Sequence, residues 1–550
     1  MKKSITLLNL ACITLMYSCQ TKTNADLLLL NGKIYTVDSS FSIAEAMAVK
    51  GGVIIATGTA KEIKSRYASD SLVDLGGNTV YPGFIDAHCH FYGLALFMQQ
   101  ADLHDAASFE QVIERLKIHQ QHYHPQWLLG RGWDQNLWER KDFPDNELLD
   151  KNFPDIPVVL TRVDGHAVIA NSKALQAAGI NTGTKIAGGI ILQKNGQLTG
   201  VLIDKAADKL KDIIPQPEGE ELIALLKKAQ QQCFSCGLTT VADAGLSKKI
   251  MLFFEKLFSE NILKINIYGM LDPSVENIEF FVKKGIYRKN SLHICSIKLY
   301  ADGALGSRGA CLLKPYNDDE TNNGLMVEAL DTLKYFCNIA FKHHYQVCTH
   351  AIGDSAVRVM LNIYAEFLKG KNDRRWRIEH AQVVSPDDMA LFGKHGIIPS
   401  VQPTHATSDM LWAGNRLGKD RIKTAYAYKN LMSQNGWIPF GTDFPIEKVS
   451  PLLTFYAAVF RKDQNGIPEN GFQTENAVSR EDALKGMTIC AAKSCFEENE
   501  KGSLEAGKYA DFVILDKDIL NIPEAQVLNT KVLKTYIRGE QVYDYSKDKQ

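Results

Sequence analysis

The sequence predicts an α/β fold built around a TIM-type (β/α)8 barrel. Eight short apolar runs follow one another along the chain, and from the second run onward the segments between them have the pattern of helices. Five of the runs end close to a histidine, lysine or aspartate, which is where a barrel strand delivers side chains to the catalytic rim. The chain has 550 residues, well above the roughly 250 of a bare barrel, so we expect two further modules.

Each predicted strand is a short apolar run with a turn residue or a polar residue at its end. In chain order the eight runs are 82–88, 237–244, 264–271, 296–303, 345–352, 375–381, 396–403 and 437–443. Helical spacing of apolar residues marks the connections, for example 331–344 and 385–396, and the latter opens with Ser-Pro, a helix start signal. Strands that alternate with helices predict a parallel sheet closed into a barrel.

Six residues at the ends of these runs form a candidate metal-ligand set. His88 and His90 lie two residues apart, and since successive strand residues point to opposite faces, both can bind one cation. The later runs contribute one residue each, namely Lys298, His350, His380 and Asp443. Each of these alone is more often a packed histidine, a solvated lysine or a turn-capping aspartate. Their coincidence in barrel order favours metal ligation and a hydrolase.

Seven motifs carry a resemblance to a known family. They are PGFIDAHCHF, RVDGHAVIANSKAL, GLTTVADAG, IKLYADGALGSR, HAIGD, RIEHAQ and GTDFPI. Together they resemble the metal-dependent amidohydrolase superfamily, in the large-insert branch of amidohydrolase family 3 that includes N-substituted formamide deformylases. The resemblance extends over residues 26–544. It is specific for the branch and says little about the substrate.

The resemblance implies roles for the six residues. His88 and His90 would hold the more buried of two divalent ions, which we expect to be Zn²⁺, together with Asp443. His350 and His380 would hold the second, and Lys298, carboxylated on its amine, would bridge the two. A free ammonium cannot ligate a cation, whereas a lysine carbamate offers two oxygen donors. The alternative is an unmodified Lys298 and a single metal ion.

Two modules surround the barrel, which we assign to residues 81–496. Residues 26–80 and 497–545 each contain too few strands to bury a sheet face, so we expect one composite β-sandwich built from both ends of the chain. Residues 100–232 form an insertion after the first strand, which in a barrel lies on the catalytic face and would cap the pocket. We predict that His166 and Trp133 of this insertion line the pocket; a packed histidine and a core tryptophan are the alternatives.

The first 19 residues have the pattern of a bacterial lipoprotein signal peptide. Lys2 and Lys3 precede an apolar stretch from residue 5 to 17 that ends before Cys19, the expected lipidation site. Met16 and Tyr17 depart from the usual residues of such a box. We therefore expect a lipid-anchored protein of the cell envelope, with ordinary secretion as the alternative, because the apolar stretch is too short to span a bilayer.

Composition excludes several other classes. The formal net charge is −1, from 62 Lys and Arg against 63 Asp and Glu, and no basic patch interleaved with aromatic residues occurs, so we expect no nucleic-acid partner. Beyond Cys12 and Cys19 of the predicted signal peptide, nine cysteines, an odd number, are scattered through apparent core segments, which is not a disulfide framework. Cys233 and Cys236 form an isolated C-x-x-C without a second ligand pair, so packing is the favoured interpretation.

The expected reaction is hydrolysis of a non-peptide amide bond in a small molecule. A metal-activated water would attack the carbonyl carbon, and Asp443 would accept its proton and return it to the leaving amine. The same metal site could instead serve ester or lactone hydrolysis, deacetylation or isomerisation. A non-catalytic solute-binding lipoprotein is a further alternative. The oligomeric state, a homodimer included, is left open by the sequence.

Overall fold

The computed structural model describes residues 22–370 and 372–548, and its centre is a parallel barrel sheet. Each strand pairs in parallel with the next along the chain. The strands are β1 (Phe84–Cys89), β2 (Leu238–Leu246), β3 (Asn266–Leu271), β4 (Leu292–Tyr300), β5 (Gln346–Ala351), β6 (Arg377–His380) and β7 (Ile398–Ser400). A short strand, Tyr287–Lys289, adds antiparallel to β4. The predicted barrel fold is confirmed.

The eighth predicted strand, residues 437–443, is irregular but still closes the barrel. Its Gly441 N–H donates to the carbonyl of Val401 (3.1 Å), and its Phe440 carbonyl accepts from the N–H of Ala87 (3.1 Å). Pro439 has no N–H to give to a strand ladder, which interrupts regular pairing. A Cβ at Gly441 would lie 2.6 Å from the backbone nitrogen of His88, so only glycine lets this segment approach β1 closely.

Helices surround the barrel and cover its apolar outer face. The helix predicted over 385–396 begins at Pro386 and ends at His395, because Pro suits a first helical turn and Gly396 adopts the left-handed conformation (φ 61°) that terminates a helix. The helices outside the insertion and the terminal sheets are Phe91–Phe97, Gly219–Ser235, Lys248–Ser259, Val275–Phe280, Leu330–Lys342, Asp354–Phe367, Pro386–His395, Pro403–Asp409, Ala413–Arg421, Tyr428–Asn435, Pro451–Phe460, Arg480–Gly486 and Ile489–Ser494.

Strands from both ends of the chain share one sheet. Phe512–Leu515 pairs antiparallel with Thr79–Pro82, and Lys33–Tyr35 pairs with the latter. This shared sheet has six strands, in the order Glu540–Asp544, Val532–Ile537, Phe512–Leu515, Thr79–Pro82, Lys33–Tyr35 and Ile43–Ala44. A second sheet has four strands, in the order Val53–Gly58, Ala46–Lys50, Leu27–Leu30 and Leu72–Asp74. The two sheets bury a common apolar core, to which each contributes alternate residues. Thr23–Asn24 pairs with Tyr67–Ala68, and the helices here are Ala60–Arg66 and Glu524–Val527.

The segment after the first barrel strand forms a subdomain with its own sheet. Its strands have the order Ala101–Asp102, Leu128–Trp133, Val158–Arg162, Ala167–Ala170, Gln197–Asp204, Gly189–Lys194, and its helices are Phe109–Tyr123, Glu147–Asn152, Ser172–Ala177 and Lys205–Lys211. One face of the sheet packs on Val112 and Leu116 of the long helix. The other face packs on Ala174 and Leu175. The insertion thus has two apolar cores, one on either side of its sheet.

Trp133 lies in the core of this subdomain and does not line the pocket, which corrects the prediction made for it. The residue is fully buried, and its indole N–H donates to the carbonyl of Leu160 (2.9 Å). Pairing with the neighbouring strand shifts by one residue between Arg131 and Trp133, where Gly132 has a φ of 109°. This bulge places Arg131 and Trp133 on opposite faces of the sheet.

Cys19 and the predicted signal peptide lie outside the described residues. Among the helices of residues 22–370 and 372–548, none combines the length and apolar character that a membrane crossing requires. The nine cysteines that the structure describes are all free thiols, and the Sγ of Cys236 contacts the carbonyl of Val449 (2.8 Å).

Candidate metal centre

The six predicted ligands lie at the carboxyl end of the barrel. His88 belongs to β1, Lys298 to β4 and His350 to β5. His90 follows β1 directly, His380 is the last residue of β6, and Asp443 is the last residue of the segment that closes the barrel. Parallel strands that close into a barrel end at one rim, so residues distant in sequence meet there.

One candidate metal group joins His88, His90 and Asp443. Their ligand atoms lie within 4.8 Å of one another. The Nε2 atoms of His90 and His88 lie 3.1 Å and 3.6 Å from Oδ1 of Asp443. That buried oxygen has no hydrogen-bond partner among the described residues. Two imidazole nitrogens that face one carboxylate oxygen without a hydrogen bond suit a shared divalent cation.

A second candidate group joins His380 and Asp443 with His405, a residue that the sequence analysis missed. The rings of His380 and His405 stack with centroids 5.8 Å apart, and Nε2 of His405 lies 3.7 Å from Oδ2 of Asp443. His405 lies in the helix that follows β7, just beyond the predicted seventh strand. A histidine within three residues of a barrel strand end was a signal that could have identified it.

Lys298 and His350 lie beside these groups without joining either. The amine of Lys298 is 3.1 Å from Nε2 of His88. The ring of His350 packs 4.6 Å from that of His380, while its Nε2 lies 3.4 Å from the carbonyl of Gly303 and 3.7 Å from Asp302. The structure therefore brings the six residues around one site, with three of them converging on a single point.

Two polar residues that sequence reasoning missed orient the histidines. Oε2 of Glu379 lies 2.6 Å from Nδ1 of His88, and Arg377 donates through Nε to the other oxygen of Glu379 (2.6 Å). The Oε1 of Gln402 lies 2.7 Å from Nδ1 of His380. When Nδ1 of a histidine donates to an oxygen, its Nε2 keeps a free lone pair, which is the form that ligates metals. The RIEH motif contains Glu379, so it was the available signal.

Burial and neighbouring charges set the protonation of the site. Burial, followed by the charge of Lys298, lowers the pKa of His88 to about 4. Burial also holds the pKa of His350 and His380 well below the usual range and lowers that of Lys298. Burial raises the pKa of Asp443, but the adjacent histidines outweigh it and hold that pKa well below normal. Neutral imidazoles beside an ionised carboxylate are a donor set that fits a divalent cation.

A cavity of about 1260 Å³ extends from these residues to the inserted subdomain. The insertion contributes one wall, which includes His166, Asp164 and Arg131. The Nδ1 of His166 is 2.7 Å from Oδ1 of Asp204, and its ring packs 4.9 Å from that of His350. The cavity leaves room for a small-molecule substrate between barrel and insertion.

A parallel barrel with histidines and an aspartate converging at its carboxyl end defines a metal-dependent barrel hydrolase. The family model described as "Amidohydrolase family" matches residues 71–543, and the chain belongs to this family. The assignment places it among the hydrolases that act on carbon–nitrogen bonds.

Known relatives match the chain over nearly its whole length. The putative amidohydrolase YtcJ of Bacillus subtilis is 34% identical and aligns over 94% of this chain and 99% of its own. The N-substituted formamide deformylase of Arthrobacter pascens is 25% identical over 94% of this chain and 98% of its own. The crystal structure of an uncharacterized metal-dependent hydrolase from Pyrococcus horikoshii OT3 superposes with a TM-score of 0.74 at 29% identity, covering 91% of this chain and 99% of that one.

Proposed function

We propose that the protein hydrolyses a non-peptide amide bond of a small molecule with a divalent metal held by His88, His90 and Asp443. The observation that carries the proposal is the convergence of these three ligand atoms within 4.8 Å at the cavity. The similarity to an N-substituted formamide deformylase supports an amide as the substrate. The nitrogen ligands and the absence of a redox requirement make Zn²⁺ the proposed ion.

The proposal includes a second ion bound by His350 and His380. His405 is added to the second ligand set, since its Nε2 is buried without a hydrogen-bond partner. Lys298 would bridge the two ions as a carbamate, formed when its neutral amine adds to CO₂ and loses one proton. Burial lowers the pKa of Lys298 and so increases the fraction of neutral amine.

Held by these residues, a divalent cation would supply activation of a water molecule and polarisation of a carbonyl oxygen. Asp443 is ionised and accepts a proton from the water that attacks the amide carbonyl carbon. The same carboxyl group then returns this proton to the amide nitrogen as the carbon–nitrogen bond breaks, which gives a carboxylic acid and an amine. Glu379 keeps His88 in the tautomer whose Nε2 faces Asp443.

The test is metal analysis of the purified protein combined with a substrate panel. We expect one to two equivalents of divalent metal and faster turnover of N-formyl and N-acetyl amines than of esters, lactones or isomerisable sugars. Faster turnover of an ester or lactone would replace amide hydrolysis with that reaction. A metal-loaded protein that binds panel members but turns over none would instead indicate a solute-binding protein.

Replacing Lys298 by Ala is expected to lower the metal content by one equivalent, because the bridging oxygens are lost. Added short carboxylates should restore part of the activity by occupying the bridge position. Metal content and turnover measure the effect, with Lys205→Ala as the matched control, since Lys205 lines the same cavity and pairs with Glu328 (2.8 Å). Full metal content in Lys298→Ala would contradict the carbamate.

We also propose a lipid anchor at Cys19, on the sequence pattern alone. A diacylglyceryl cysteine supplies the two acyl chains that stable anchoring needs. Cys19→Ser is expected to move the protein from the membrane fraction of its host to the soluble fraction. Immunoblotting of the two fractions measures this distribution. An unchanged membrane distribution of the variant would argue against lipidation at this residue.

A further inference from the structure

Arg131 is a cation in the cavity wall that forms no hydrogen bond or ion pair in the part of the chain that the structure describes. It belongs to the strand Leu128–Trp133 of the insertion and lines the cavity. No described residue forms a hydrogen bond or ion pair with its guanidinium, and its Nε is buried. The residue is half-buried, and the charges of Asp443 and Asp164 act on it without forming an ion pair. A charge that is partly withdrawn from water without a hydrogen-bonded partner is costly, so such groups normally bind a counter-ion.

The other basic side chains that line the cavity all have partners. Arg162 pairs with Asp164 (2.6 Å) and with Asp134. The lysines bond to protein oxygens or nitrogens: Lys205 to Glu328, Lys211 to the carbonyl of Gly165, Lys298 to His88, Lys448 to Gln464 and Lys462 to Glu524. Among the arginines and lysines that line the cavity in the described part of the chain, Arg131 is therefore the one that forms no hydrogen bond or ion pair.

Local backbone geometry keeps space beside this guanidinium. The bulge at Gly132 directs Arg131 away from the core that holds Trp133. Gly165 lies against the side chain, and a Cβ at that position would be 3.2 Å from Nη2 of Arg131. Gly165 has a φ of 76°, which also disfavours any side chain there. The wall thus presents a guanidinium whose neighbour has no side chain to cover it.

We propose that Arg131 is a specificity-determining residue that binds a carboxylate of the substrate, so that the preferred substrate is an amide bearing a carboxylate away from the scissile bond. This rests on the proposed amide hydrolysis. A planar guanidinium matches a carboxylate through two parallel hydrogen bonds. A phosphate dianion fits less well, because Arg131 offers a single positive charge and the wall also carries the carboxylate of Asp164.

The kinetic test compares two probes that differ only in this group, N-formyl-phenylalanine and N-formyl-phenylalaninamide. Phe97, Leu411 and Trp412 line the cavity and suit the phenyl ring. Arg131→Met is expected to lower kcat/KM for the acid about 10- to 100-fold, the range for a hydrogen bond to a charged group, and to leave the amide within about fivefold. Lys448→Met removes the same charge from another cavity residue and should change both probes by less than about fivefold.

A binding experiment separates failure of this inference from failure of the proposed hydrolysis. Calorimetry on the protein as purified compares the binding of 3-phenylpropanoate and 3-phenylpropanamide. Arg131→Met should bind 3-phenylpropanoate about 10- to 100-fold more weakly than wild type does, and its affinity for 3-phenylpropanamide should not change. If neither formyl probe is hydrolysed but Arg131→Met binds 3-phenylpropanoate more weakly, the proposed hydrolysis is wrong for formyl amides, and carboxylate binding by Arg131 is supported. The inference that Arg131 binds a carboxylate is overturned if wild type and Arg131→Met bind 3-phenylpropanoate with equal affinity. It is also overturned if Arg131→Met lowers kcat/KM equally for both formyl probes.

Arg131→Lys provides a second variant if Arg131→Met does not fold. Lysine keeps the positive charge but cannot donate two parallel hydrogen bonds. We therefore expect an affinity for 3-phenylpropanoate between the affinities of wild type and Arg131→Met. Thermal unfolding of both variants checks the fold. Carboxylate binding by a folded Arg131→Lys that equals the wild-type value at every pH would contradict recognition through paired hydrogen bonds.

Discussion

Asp443→Asn is expected to lower kcat at least about 100-fold while the protein keeps most of its metal in a metal-replete buffer. Asn preserves the shape and one oxygen that can ligate, but its amide cannot accept the proton of the attacking water. Loss of a general base typically costs about 10² to 10⁴ in rate, whereas loss of one metal ligand mainly weakens affinity. The pKa of Asp443 lies well below its usual range, so wild type has the base form available throughout neutral pH.

The measurement is single-turnover kinetics with the best panel substrate, alongside metal analysis of the same samples. Asp208→Asn is the matched control, because Asp208 lines the same cavity but its side chain is 61% exposed and pairs with Lys211 at 3.5 Å. We expect this control to retain near wild-type kcat. A metal-loaded Asp443→Asn that turns over substrate at the wild-type rate would transfer the proton-carrier role to another group, with His166 as the candidate.

The double variant His88→Ala with His90→Ala is expected to lose metal and activity together. Both imidazoles face Oδ1 of Asp443, so removing them leaves that carboxylate oxygen without its neighbouring nitrogen donors. Changes to groups that only orient a ligand cost about 10- to 100-fold in metal affinity, so losing two ligands should cost at least that much. Metal content after dialysis and kcat/KM at limiting metal measure the loss.

A matched double control comes from another pair of histidines two residues apart. His122 and His124 are exposed at the end of the helix Phe109–Tyr123, away from the cavity. His122→Ala with His124→Ala should keep wild-type metal content and turnover. Full metal and full turnover in the His88 and His90 double variant would mean that the ion is held elsewhere.

Glu379 shows that the RIEH motif holds, next to the predicted ligand His380, a second residue that orients a ligand on another strand. The sequence analysis used RIEH for His380 only, yet Glu379 lies within hydrogen-bonding distance of His88, which is 291 positions away in the sequence. Arg377 and His88 outweigh burial and hold the pKa of Glu379 well below its usual range. Nothing in the spacing of RIEH indicates this partner, because the pairing depends on where β6 lies across the barrel from β1.

Barrel strands and helices could be predicted because their signals are local. Residues 345–352 were predicted as a strand and Gln346–Ala351 forms one; residues 331–344 were predicted as a helix and Leu330–Lys342 forms one. Apolar periodicity reports which face of a segment is buried, and that requires only neighbouring residues. The segment 437–443 departs from the prediction because Pro439 and Gly441 adapt it to its particular neighbours.

The sequence by itself determined the order of the strands, the chemistry of the residues at their ends and hence the family. Only the tertiary structure decided which atoms converge. It brings His405 close to His380 and places Glu379 within hydrogen-bonding distance of His88. The bulge at Gly132 places Arg131 at the cavity and Trp133 in a core. The physical reason is that strand and helix formation depend on residues a few positions apart, whereas a site is formed by distances between segments hundreds of positions apart, which packing of the whole chain sets.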